Sequence, residues 1–225
     1  MKANASSPSA LKTVRAIRAI GLVLLLFVVV YAPASAVAAG LRLRPAAAVP
    51  FVMFVSFLTA CLCIRGLASR RHEKLAQYGI TVPALSHIVS AVIVSAPVSI
   101  ATALLLSRVH ESGPLAGLSL APWLLVLYFV VGASVQEELI FRGLFQTTLA
   151  TRLSPSTAPD PIYGVAASLL VALLFGCIHL VVGPCTAAAA LVLGTIAGEF
   201  RRRSGSLLPP IICHALFNLG GIIWT

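Results

Sequence analysis

Uncharged runs long enough to cross a lipid bilayer follow one another through this chain, and they limit its fold more tightly than any other feature. Without Asp, Glu, Lys or Arg stand 23 residues between Arg18 and Arg42, 20 between Arg44 and Arg65, and 33 between Lys74 and Arg108. A further 25 lie between Glu111 and Glu137, 38 between Asp160 and Glu199, and 22 after Arg203. A membrane helix needs about 20 apolar residues. The 38-residue run is too long for one span, and Gly183-Pro184 within it predicts a tight turn between two helices. Its second helix is shorter than a full span and predicts Arg201–Arg203 snorkelling outward. The expected architecture is all-α, a polytopic membrane bundle of about seven transmembrane helices.

Composition closes the alternatives. Hydrophobic residues make up 59% of the 225 and charged residues only 10%, where a soluble domain carries about 25% charged. A soluble enzyme, a coiled coil and a disordered chain are excluded. The net charge of +10 does not point to nucleic acid, because the basic residues cluster between apolar runs, where orientation signals sit. With seven spans and the N-terminus inside, 12 of the 16 basic residues face the cytoplasm and Arg42, Arg44 and Arg108 face outward. The positive-inside rule predicts that orientation, with the C-terminus outside, in what reads as a bacterial plasma membrane. Residues 1–36 also resemble a secretory signal ending at Ala34-Ser35-Ala36. The five cysteines form no C-x-x-C pair and imply neither a disulfide framework nor a zinc ribbon.

The division expected is residues 1–120, three spans without a motif, and residues 121–225, four helices that carry the chemistry. Arg65–Val82 and Thr147–Pro161 read as loops on the cytoplasmic side. No internal repeat or matched pair of broken helices marks a transporter.

Function must reside in polar groups that hydrocarbon should have excluded. Three groups qualify: Glu137-Glu138 with Arg142, Phe175 with His179, and His214 with Asn218. Glu138 and Arg142 are four residues apart and can pair on one helix face; so can His214 and Asn218. Glu137 is left without a neutralising partner on its own helix. An aspartyl mechanism needs two carboxylates sharing a proton, and the single aspartate, Asp160, lies in a loop. The H-E-x-x-H of a zincin is absent, since Ser-Gly-Pro follows His110-Glu111. Ser134 stands in only a fragment of a nucleophile loop. Cys177 and Cys213 sit in apolar helices, where cysteine ordinarily packs. A glutamate acting on water is what the residue types favour.

The run E-E-x-x-x-R, then F-x-x-x-H, then H-x-x-x-N, in this order over Gly132–Ile222, closely resembles the CPBP family (CAAX protease and bacteriocin-processing), which includes type II CAAX prenyl endopeptidases. The resemblance implies an intramembrane endopeptidase without a cofactor. Glu137 would be the general base and His179 its partner in activating water. His214 and Asn218 would stabilise the oxyanion, while Glu138, Arg142 and Phe175 would support them. It implies a peptide or lipidated-protein substrate entering from the lipid bilayer, with prenylated C-termini, bacteriocin maturation or immunity as the contexts known for such chains. Three other readings stay open: a zinc enzyme with Glu137, His179 and His214 as ligands, a non-enzymatic immunity protein, and a proton-coupled carrier. Counted from the cytoplasmic ends, Glu137 and His214 fall about 10–12 Å deep and His179 about 24–27 Å deep, an expected mismatch within one site.

Overall fold

The computed structural model describes residues 8–109, 121–154 and 161–224, and among these no strand occurs. Seven long helices follow one another: α1 (Pro8–Gly40), α2 (Pro45–Arg71), α3 (Leu85–Leu106), α4 (Trp123–Leu153), α5 (Pro161–Ile178), α6 (Pro184–Ser204) and α7 (Leu208–Trp224). The five from α1 to α5 are long and apolar enough to cross a membrane. The charges at the end of α6 and the 17 residues of α7 keep those two below that threshold. The protein is an integral membrane helix bundle.

Its surface explains the composition. Leu24, Leu25, Leu62, Ile93 and Leu105 point outward, while Ala60, Ala91, Ala167 and Ala197 are fully buried. Large apolar side chains outside and small ones inside suit a hydrocarbon solvent, where helices gain by approaching closely rather than by hiding leucines. The seam between α5 and α6 shows this most clearly. A Cβ on Gly194 would lie 3.1 Å from the Ala172 backbone, and one on Gly198 would collide with Ser168 Oγ. Gly183 and Pro184 make the turn that the sequence predicts, Pro184 occupying the first turn of α6.

Two connections are more ordered than expected. Thr147–Leu153 is the last part of α4, not loop; residues 155–160, with Asp160, lie outside the described residues, as do His110 and Glu111. Arg65–Arg71 completes α2, and the rest of that connection folds back as a plug built on a 3-10 turn, Leu75–Tyr78. Tyr78 is 1% exposed and donates to Glu73 Oε2 at 2.7 Å. Burial first, and then Glu73, push its hydroxyl pKa up to about 12. Gly79 follows at φ 87°, where a side chain would meet Arg201 Nε and Leu207 Cγ at 2.8 Å. Its carbonyl accepts from the Leu207 amide at 3.0 Å, fixing the start of α7 beneath the plug. Arg201 does not snorkel. It turns inward, 9% exposed, and donates to the Gln77 carbonyl at 2.6 Å, because the plug supplies carbonyls that solvent would otherwise replace. Arg202 and Arg203 pair with Glu199 at the surface.

α1 is built into the same core as the later helices. Val30 and Ala34 are almost fully buried, and Tyr31 Oη accepts from Gln136 Nε2 at 3.2 Å.

Candidate active site in the bundle interior

α4 carries the acidic pair, and its length corrects the depth of the site. The sequence places the end of this helix at Thr147, where a loop is expected, but α4 continues to Leu153. Glu137 therefore sits near its middle, with about 24 Å of helix on the C-terminal side at 1.5 Å per residue. The error came from reading the Ser, Thr and Pro residues of 147–161 as loop: Thr147–Leu153 is helical, and Arg142 before it is 0% exposed with its counter-ion, Glu138, inside the bundle. With Glu137 moved to mid-depth, the expected mismatch with His179 disappears. Glu137, His179, His214 and Asn218 all line one cavity of about 500 Å³. α4 is π-helical at Val126–Ala133 and Leu139–Gln146, either side of the α-turn Ser134–Glu138. Such widened turns are frequent at functional sites.

The two glutamates have opposite surroundings. Glu138 is fully buried and committed twice. Its Oε2 is 3.2 Å from Arg142 Nε, the ion pair predicted by spacing, and its Oε1 accepts from His214 Nδ1 at 2.8 Å. Arg142 Nη2 continues the chain to the Gly194 carbonyl at 3.0 Å. Glu137 is 22% exposed by side chain, lies 3.9 Å from His214 Nε2, and its buried Oε2 has no hydrogen-bond partner among the described residues. A buried carboxylate oxygen costs free energy unless something fills the role of partner.

His179 occupies the turn just past α5, where Ile178 ends the α-helix and a 3-10 segment begins. Its Nδ1–H donates to the Phe175 carbonyl at 2.7 Å. A neutral ring held this way keeps a lone pair on Nε2. Phe175 is the packing hub. Its ring lies 4.6 Å from that of His179 and 5.8 Å from that of His214, with Arg142 Cζ 4.9 Å from its centroid. One aromatic side chain thereby aligns residues of α4, α5 and α7.

Asn218 lies one turn beyond His214 on α7. Its Nδ2 donates to the Phe129 carbonyl at 2.7 Å and lies 3.4 Å from Ser134 Oγ. Ser134 is thus an orienting neighbour of Asn218, 0% exposed. Sequence reasoning missed a second polar set beside the site. Gln136 Nε2 donates to Ser56 Oγ at 3.0 Å as well as to Tyr31. A glutamine next to two glutamates in an apolar run was the available signal. No three His, Cys, Asp or Glu side chains among the described residues converge as a metal would require. Glu138, His214 Nδ1 and His179 Nδ1 are already spent on protein partners.

Residues 119–220 match the family described as Rce1-like, type II CAAX prenyl endopeptidase Rce1-like. That stretch holds both glutamates, Arg142, Phe175, both histidines and Asn218, and it agrees with the resemblance carried by the motifs. No curated protein and no solved structure matches the chain.

Proposed function

We propose that this protein is an intramembrane endopeptidase that hydrolyses peptide bonds with water activated by Glu137 and His179, without a covalent intermediate and without a cofactor. The observation that carries the reading is the Glu137 oxygen without a hydrogen-bond partner among the described residues, in a cavity shared with two imidazoles and an amide. Family similarity over residues 119–220 supports a peptidase independently of that geometry.

Glu137 and the Nε2 lone pair of His179 both accept hydrogen bonds, so together they hold one water by its two hydrogens and leave its oxygen lone pair for the scissile carbonyl. Glu137 takes the proton as the carbon–oxygen bond forms and returns it to the leaving amine. His214, its Nδ1–H held by Glu138, offers Nε2–H to the developing oxyanion when the ring carries both protons. Asn218 offers beside it the amide N–H that otherwise makes the longer, 3.4 Å bond to Ser134 Oγ. In a dry site one such donor is worth about 2.7–4 kcal/mol. Glu138 is then more than ballast for Arg142, since it orients the oxyanion donor. Helices α1–α3 serve as the scaffold and as one wall of the cavity, and the substrate is a peptide or lipidated protein that reaches the site within the membrane.

The deciding experiment is a cleavage assay on the purified full chain against a broad peptide set, with Glu137→Gln as control. Cleavage that disappears in the variant supports the proposal. Equal cleavage by both, or none by either, refutes it.

A further inference from the structure

The cavity has a direction, and the charges of the chain have one too. Its floor is formed by Glu137, Phe175, Leu193 and His214, of which Phe175, Leu193 and His214 are buried. From there it runs to Val49 in the second turn of α2, Thr186 in the first turn of α6 and Ser107 and Val109 just past α3; the last two are exposed. These positions all lie at the end of the bundle where α1 finishes. Toward the opposite end the path is closed. Ile140, Phe141, Arg142, Leu144 and Phe145 are each 0% exposed, and the Tyr78 plug packs against Gly143 below them.

The basic residues fall on the closed end. Leaving aside the buried Arg142, 11 of the 14 in the described residues lie there, against Arg42, Arg44 and Arg108 at the open end. Basic residues flanking membrane helices stay in the cytoplasm. The closed end is therefore the cytoplasmic one.

We infer that the site takes its substrate from the non-cytoplasmic side of the membrane. The substrate is then a polypeptide presented at that surface or spanning to it, and not the tail of a cytoplasmic protein. The inference rests on the peptidase reading for the word substrate, but the direction of access does not depend on turnover.

Membrane-impermeant maleimide applied to spheroplasts that produce the full chain tests it, with the modified residue identified by peptide mass so that the native cysteines can stay. Ser107→Cys at the mouth is expected to react in intact spheroplasts. Ser69→Cys, near the end of α2, is expected to lose all labelling until the membrane is permeabilised. Thr102→Cys, deeper along the same wall, replaces Ser107→Cys if that variant does not accumulate. Labelling of Ser69→Cys in intact spheroplasts, or a mouth cysteine that reacts only after permeabilisation, overturns the inference. Since labelling needs no catalysis, a chain that labels as expected yet cleaves nothing refutes the peptidase reading alone.

Discussion

Glu137 and Glu138 are neighbours in sequence and opposites in environment, and substitution should separate them. Glu137→Gln keeps the shape and deletes the base, so turnover should vanish while the thermal midpoint in detergent stays close to that of the parent. Glu138→Gln strands Arg142, and breaking a buried ion pair costs about 3–5 kcal/mol. That variant should melt earlier and yield less, as should Arg142→Gln. The double variant should regain part of the loss, because neither charge is then orphaned. It should remain inactive, because His214 then donates to a neutral amide oxygen in place of a carboxylate. A stable, dead Glu138→Gln beside an active Glu137→Gln would reverse the two roles. Asn218→Ala should lower kcat about 10²–10³-fold, the range seen for loss of one oxyanion donor, with a smaller change in KM. A KM rise at unchanged kcat would instead make Asn218 a substrate-binding residue.

At the scale of elements, the α5–α6 seam holds His179 in register with α4. Gly194 touches Ala172 and also supplies the carbonyl that receives Arg142. Gly194→Val should push the helices apart and cost about 1–3 kcal/mol, the usual range for overpacking. Activity should fall with it, and a melt at the parent temperature would show that the seam is loose. Spacing alone revealed the Glu138–Arg142 pair and the Gly183-Pro184 turn, because both depend on neighbours within one or two turns of chain. It did not reveal that α4 runs on to Leu153 or that Arg142 stays inside it, since the Phe175 ring of α5 and the Gly194 carbonyl of α6 that receive Arg142 lie 33 and 52 residues further on. The fate of Arg201 was hidden for the same reason, because its acceptor lies in the plug before α3.

For the whole molecule, metal independence is the prediction that separates the readings most cleanly. Strong chelators should leave cleavage unchanged. Loss of activity on chelation, restored by zinc and not by magnesium, would replace water activation by Glu137 with a metal centre. The membrane fold and the set of polar residues that hydrocarbon should have excluded could be read from sequence, because both follow from local counts of charge and hydropathy. How those residues divide the work could not. Which glutamate is held by His214, that Phe175 aligns both imidazoles, and at which end the cavity opens depend on groups far apart in sequence that meet only when the helices pack. Only the tertiary structure decided these, because a hydrogen bond or a cavity wall between helices has no periodicity along the chain.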